Sequence, residues 1–166
     1  MIKKFLIILS IILLTGANAE AKDLKWQKSP LLVCMPANQN NQLMKQAFRE
    51  WQRAIKDKVT FKFLTANSCP NAQITVSYAP NKRSSLTTYA FTGNYFTKAH
   101  IEMGLLTAQG NKAETGTLLA LMKHEIGHAI GLTGHTNTPK SVMQAVVKDG
   151  YTITQDSINE IYRIYK

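Results

Sequence analysis

One short stretch constrains this chain more than any other feature, because two histidines stand four residues apart with a glutamate directly after the first. If the segment is helical, His124 and His128 lie one turn apart on the same face, so their imidazole nitrogens can point at one position. Glu125 then lies about 100° further round the helix, within reach of a water molecule at that position. This HExxH pattern favours a zinc-binding helix, although so short a pattern also arises by chance.

The residues beyond the second histidine strengthen this interpretation. Gly131 can adopt the left-handed backbone that ends a helix, and the chain could then turn back to deliver His135 as a third ligand. Three protein nitrogens and one open position describe a catalytic zinc site, whereas structural zinc is closed by four protein ligands. The alternative is a histidine cluster without metal, in which buried imidazoles would be costly to desolvate and would repel one another when charged.

The start of the chain has the composition of a signal peptide, which we place at residues 1–19. Two lysines precede an almost unbroken apolar run over residues 5–14, and residues 17–19 (Ala-Asn-Ala) offer a small-x-small cleavage pattern. The apolar run is too short for a comfortable membrane span. We therefore predict an exported protein, secreted or periplasmic, whose residues 20–166 form a single catalytic domain.

The charge of the chain is strongly basic, with 20 Lys and Arg residues against 10 Asp and Glu, a formal net charge of +10. Removing the signal peptide, which holds two lysines and no acidic residue, lowers this value to +8. The surplus is scattered, as on a solvated surface, and attraction to an anionic envelope or an acidic substrate is the alternative. No nucleic-acid-binding module is visible, and we expect a monomer without stable membrane insertion.

Two cysteines, Cys34 and Cys69, are present, an even number in a chain predicted to enter an oxidising compartment. A disulfide between them is the leading interpretation. Two alternatives stay open: Cys34 could block the zinc as a latency thiolate, or both residues could be unpaired buried thiols.

Apolar patterning predicts a mixed sheet with helices. Continuous or alternating apolar runs mark five strands, at residues 31–35, 59–64, 73–78, 86–92 and 95–103. Helical spacing marks a backing helix over residues 38–58 and a C-terminal helix that begins at residue 154. The zinc helix should begin near Thr115 or Thr117, either of which could cap it. This order of elements predicts an α/β fold (α+β by some schemes), because a strand, a helix and two further strands are followed by a hairpin. The sheet should be twisted and mainly parallel, with one antiparallel edge strand.

With these features the chain resembles the metzincin zinc endopeptidases, most closely the matrixin-like branch. The resemblance rests on the HExxH helix, the glycine and histidine beyond it, and a methionine eight residues after that histidine. These residues are His124, Glu125, His128, Gly131, His135 and Met143. The resemblance implies a metzincin-like catalytic domain in which Met143 forms the Met-turn, an apolar floor beneath the zinc.

The sequence departs from the family pattern at several positions. The usual third histidine falls at Gly134 here, so we expect Gly134 to absorb one extra residue in the turn that delivers His135. Gln144-Ala145 follows the methionine in place of Tyr-Pro, which predicts a different wall of the specificity pocket. Only His100 remains for the second, structural zinc of matrixins, so we predict one Zn²⁺ per chain.

The resemblance implies hydrolysis of peptide bonds in a peptide or protein substrate, with Glu125 as general base and acid. Two other functions are kept open. One is an exported zinc-binding protein on a protease-like scaffold with little turnover, and the other is hydrolysis of another amide, such as a cell-wall crosslink.

Overall fold

The computed structural model describes residues 23–66 and 69–166, so the signal-peptide prediction for residues 1–19 lies outside the described residues. Within these ranges no helix combines the length and the apolar character needed to cross a membrane. The elements in this part of the chain are β1 (Leu31–Met35), α1 (Asn41–Ala54), β2 (Phe61–Thr65), β3 (Ile74–Ala79), β4 (Leu86–Thr92), β5 (Tyr95–Gly104), α2 (Thr115–Ala129) and α3 (Gln155–Ile164).

The five strands form one sheet in the order β2-β1-β3-β5-β4. All pairs are parallel except β4 with β5, which are antiparallel and joined by a tight turn at Gly93, where φ is +60°. Helix α1 makes the crossover from β1 to β2, as a parallel pair requires, while the hairpin leaves β4 at the edge. The predicted mixed sheet with one antiparallel edge strand is confirmed.

Helix ends differ from the predictions for reasons outside the apolar pattern. The backing helix is shorter than predicted, since Asn38 accepts a hydrogen bond from the Asn40 backbone before α1 begins, and positive φ values at Lys56 and Asp57 follow its end. The caps predicted for α2 at Thr115 or Thr117 are wrong, because the N-cap residue is Glu114 and makes no side-chain capping bond.

The first turn of α2 meets a carboxylate from a distant loop. A Cβ at Gly116 would collide with the carboxylate of Asp149, so that group lies against the helix start. A negative charge there is favourable because the first backbone N–H groups of a helix have no partner within it. Tertiary structure thus brings a carboxylate to the first turn of α2, where the sequence predicted a local cap.

The core lies between the sheet and the two longer helices. Helix α2 buries residues on all its faces, as expected for a helix enclosed by other elements. Trp51 of α1 is fully buried, and its Nε1 donates to the backbone carbonyl of Lys123 at 2.7 Å. The Lys123 ammonium pairs with Glu50 at 3.1 Å, so α1 and α2 are joined next to the HExxH residues.

A short segment before β1 ties the end of α2 to the rest of the molecule. The Trp26 ring is buried, and its Nε1 donates to the carbonyl of Ala129, the last residue of α2. The backbone of Lys25 exchanges hydrogen bonds with Asn94 and Phe96 of the β4–β5 hairpin. The end of α2, from which the next loop begins, is therefore held in place by this segment.

Cys34 and Cys69 form a disulfide with an S–S distance of 2.05 Å. The bond joins the end of β1 to the connection that leads into β3. The disulfide prediction is confirmed, and the two alternatives are wrong, since neither sulfur is a free thiol and Cys34 cannot serve as a latency thiolate.

Candidate metal centre

Three imidazoles converge at one end of α2. His124 and His128 project from the helix, and His135 comes from the loop that follows it. One ligand atom from each ring lies within 4.8 Å of the other two. The Nε2 atoms of His124 and His128 are 3.0 Å apart, and the His135 ring centroid lies 5.2 Å and 5.1 Å from those of His124 and His128. The structure thus brings together all three predicted ligands.

Backbone carbonyls determine which ring nitrogens face the centre. The Nδ1 of His124 lies 2.6 Å from the carbonyl oxygen of Val142, and the Nδ1 of His128 lies 2.5 Å from that of Leu132. A carbonyl oxygen can only accept, so each Nδ1 carries the hydrogen and donates it. In the neutral ring Nε2 then has no hydrogen, and its lone pair is available to a metal ion.

Burial keeps the two helix imidazoles neutral. It lowers the pKa of His124, against an opposing hydrogen bond to Val142, and it lowers the pKa of His128 to about 4, with a further lowering from the neighbouring His124. Neutral imidazole is the form that binds metal. Near neutral pH these two ligands are therefore ready without losing a proton.

The donor set fits zinc. Two nitrogens bonded to tetrahedral zinc at about 2.0–2.1 Å stand roughly 3.3 Å apart, close to the 3.0 Å between the Nε2 atoms of His124 and His128. At that distance two lone pairs facing each other repel unless a cation lies between them. Among residues 23–66 and 69–166 no fourth side chain joins the three histidine nitrogens, which leaves a position for water or substrate.

Glu125 follows His124 on α2 and is not part of the three-histidine cluster. The residue is only 4% exposed, and its Oε2 accepts a hydrogen bond of 2.7 Å from Thr87 Oγ1 on β4. Burial raises the pKa of Glu125 to about 6, against the lowering effect of the Thr87 bonds. A carboxylate with this pKa is a better base than an exposed one and can still ionise near neutral pH.

The two glycines of the turn after α2 play unequal roles. Gly131 has a φ of +127°, and a Cβ there would lie 2.7 Å from the carbonyl oxygen of Leu24, so both backbone angle and close approach require glycine. Gly134 has no positive φ, and a Cβ there would meet no atom within 4 Å. His135 reaches the cluster with the extra residue in place, but the geometry does not require glycine at Gly134.

Met143 lies against α2 at Gly127, a residue between His124 and His128 in the sequence. Its side chain is 2% exposed, and a Cβ at Gly127 would collide with its sulfur. The same turn holds both parts of the site, because the Val142 carbonyl binds His124 while the Met143 carbonyl accepts the backbone N–H of Thr136, next to His135. This is the place expected of a Met-turn residue.

The sequence of the chain matches the matrixin family over residues 18–166, nine-tenths of its length. The chain belongs to the matrixin family. No curated protein sequence matches it at a significant level. Among solved structures, that of myroilysin matches this matrixin with a TM-score of 0.57 and 15% sequence identity, covering 90% of this chain and 93% of that chain, a likeness that shows the fold.

Matrixins are metalloproteases that bind zinc, so membership in the family makes this chain a metalloprotease hydrolase at that level. Because the family consists of proteases, its substrates are peptides or proteins. The three-histidine cluster of this matrixin agrees with a zinc cofactor.

Several contacts around the site are absent from the sequence-based expectations. The apolar pattern predicts no role for Thr87 beyond a place in a strand, and Gly127 is a variable position of the HExxH pattern. One signal was available for Gly127, since glycine is a poor helix former and its presence inside a buried helix indicates a close neighbour. His100 lies outside the cluster, and both its ring nitrogens contact hydroxyls, those of Thr75 and Ser77.

Proposed function

We propose that this matrixin is an exported zinc-dependent endopeptidase that holds one Zn²⁺ per chain. His124, His128 and His135 are the ligands, and Glu125 is the general base and acid. One observation carries the proposal: ligand atoms of three imidazoles converge within 4.8 Å, and the next residue of the helix after His124 is a buried glutamate outside that cluster.

Each group in the site has a separate task in peptide-bond hydrolysis. His124, His128 and His135 would hold the zinc, which when bound would supply Lewis acidity to lower the pKa of water toward neutrality and to polarise the scissile carbonyl. Glu125 takes a proton from the attacking water and passes it to the nitrogen of the leaving amine. The carbonyls of Val142 and Leu132 keep the His124 and His128 rings oriented, and Met143 forms the apolar floor.

The edge strand offers a place for the substrate backbone. In the described part of the chain β4 pairs only with β5, so its other edge can add an extended peptide through main-chain hydrogen bonds. Thr87 of β4 contacts Glu125, so a peptide laid along β4 passes beside the proposed base. This arrangement favours an extended segment of a peptide or protein over a compact small molecule.

A peptide library tests the reaction. The purified protein, loaded with one equivalent of zinc, should cleave a mixed peptide library at internal bonds, as read by mass spectrometry, and a chelator should stop the cleavage. The matched control is Glu125→Gln, which has nearly the same shape and should keep zinc content and fold while losing turnover by about 10²–10⁴-fold. Full turnover in Glu125→Gln would refute the base, and an intact library with the zinc-loaded wild type would favour a zinc-binding protein.

Export is a separate part of the proposal. The Cys34–Cys69 disulfide is typical of proteins in oxidising compartments, and the basic, apolar and small-residue pattern over residues 1–19 supplies a targeting signal. Expression of the full chain in a bacterial host should yield a processed periplasmic or secreted protein that begins at Glu20. An unprocessed protein retained in the cytoplasm would contradict this part without affecting the chemistry.

A further inference from the structure

The hydroxyl of Thr87 makes two contacts with Glu125 and comes from a different element of the fold. Thr87 lies on β4 and is half-buried, and its Oγ1 is 2.7 Å from Glu125 Oε2 and 2.9 Å from the Glu125 backbone oxygen. The two residues are 38 positions apart in the sequence. The contact therefore depends on the docking of the edge strand against α2.

The chemistry of a hydroxyl makes this contact directional. Thr87 has one hydrogen to donate, and a carboxylate oxygen is a stronger acceptor than a neutral carbonyl. Donation to Oε2 occupies that oxygen, whereas no side-chain donor from the described residues contacts Oε1. The backbone of Thr87 also acts on this carboxylate and lowers its pKa, so the same residue holds the group twice. Threonine is β-branched, so few side-chain rotamers are open to it and the donor position is well defined.

We propose that Thr87 is a positioning residue that orients the Glu125 carboxylate so that Oε1 exchanges the proton with water and the leaving amine. This inference rests on the proposed function of Glu125. Thr87 itself moves no proton, and it adds a constraint from the strand that also borders the substrate. The same strand thus aligns the general base and the peptide backbone with each other.

Three variants of the zinc-loaded protein test the assignment. Thr87→Val keeps the shape and removes the donor, so kcat should fall about 10- to 100-fold, the effect of losing a hydrogen bond to a charged group, with KM changed less than about twofold. Thr87→Ser restores the donor and should keep kcat within about threefold of wild type. Thr97→Val, the same change at an exposed site on β5, should leave both constants within about twofold.

Crystal structures supply a readout that does not depend on turnover. Glu125 should occupy one conformation in wild type and Thr87→Ser, and a displaced or divided one in Thr87→Val, with zinc content unchanged in all three. An unchanged kcat in Thr87→Val, an equal loss in Thr87→Ser, or a rise in KM alone would overturn the proposal. If Glu125→Gln is inactive while Thr87→Val is fully active, only the Thr87 assignment fails. If neither the wild type nor any variant cleaves peptides, the proposed function fails, and the conformation of Glu125 in the crystal structures still tests the Thr87 assignment.

Discussion

The proposed metal centre is built from two unlike parts, one on a helix and one on a loop. The helix part consists of His124 and His128, which stand on a helix enclosed by the core and donate from Nδ1 to backbone carbonyls. The loop part is His135, whose ring is exposed and receives no hydrogen bond from any described residue. Two of the proposed ligands are therefore oriented by backbone carbonyls, whereas no hydrogen bond among the described residues orients the third.

The difference explains how His135 reaches the histidine cluster despite one extra residue in the turn. A ligand on a helix cannot shift by one position, because each residue rotates the side chain by about 100°. A loop can take up an inserted residue by changing backbone angles that are not part of a repeating structure. The insertion before His135 falls in the part of the site that tolerates it.

The largest expected effect contrasts one ligand from each part. His128→Ala removes a preorganised nitrogen and also the donor to the Leu132 carbonyl, so zinc affinity should fall well beyond the 10- to 100-fold loss typical of an outer-shell change, by at least about 10³-fold. His135→Ala should cost at least tenfold less than His128→Ala. Zinc titration against a competing chelator measures both.

His100→Ala is the matched control for these ligand variants. It removes the remaining histidine, which lies outside the cluster, so zinc affinity should be unchanged. Equal losses in His128→Ala and His135→Ala would show that the two parts are equally rigid.

The second effect is a pH dependence of the metal-free protein. The pKa of His128 falls from its ordinary value of 6.5 to about 4 on folding, so the unfolded chain binds this proton more readily. The free energy of unfolding should therefore decrease as pH drops from about 6.5 to about 4, by an amount on the order of 3 kcal/mol for this residue. Denaturant unfolding at a series of pH values, compared with His128→Gln, measures it.

The comparison with His128→Gln is needed because Glu125 acts in the opposite sense. Its pKa is raised to about 6 in the folded protein, so its contribution favours folding as pH falls from about 6 to 4.5. Subtracting the profile of His128→Gln from that of wild type isolates the histidine. Identical profiles would show that His128 is not held neutral by burial.

The third effect compares two glycines in the loop part. Gly131→Ala should destabilise the protein by about 2 kcal/mol or more and weaken zinc binding, because alanine is strained at a φ of +127° and meets the Leu24 carbonyl. Gly134→Ala, three residues along the same loop, should change stability by less than about 0.5 kcal/mol. Thermal unfolding with and without zinc distinguishes them, and a large loss in Gly134→Ala would restore the view that this glycine absorbs the insertion.

The smallest effect concerns the junction between the two parts. The Tyr165 hydroxyl donates to the Ile130 carbonyl at 2.8 Å, just where α2 ends. Tyr165→Phe should cost about 1 kcal/mol of unfolding free energy. Tyr162→Phe on the same helix should cost less than about 0.5 kcal/mol, because its hydroxyl has no such partner among the described residues. A neutral Tyr165→Phe would mean that the other contacts at this point, such as the one from Trp26 Nε1 to the Ala129 carbonyl, are enough to hold the junction.

The local pattern of apolar and turn residues predicts much of the fold. The strand predicted at residues 31–35 coincides with β1, and β4 coincides with residues 86–92, because alternation and turn residues act over a few positions. Helix ends were less predictable. The cap expected at Thr115 or Thr117 depended on local side chains, whereas Asp149, brought in by tertiary structure, lies against the first turn of α2.

The sequence by itself determined that two imidazoles share one face of a helix beside a carboxylate, since the helical repeat converts a spacing of four into a direction in space. It also indicated His135 as the third ligand, through its place beyond Gly131. Only the tertiary structure decided which nitrogen each helix ligand presents, that Met143 fills the space left by Gly127, and that Thr87 reaches Glu125. Those contacts join residues far apart in the chain, and their distances depend on how packed elements dock rather than on any repeat along the sequence.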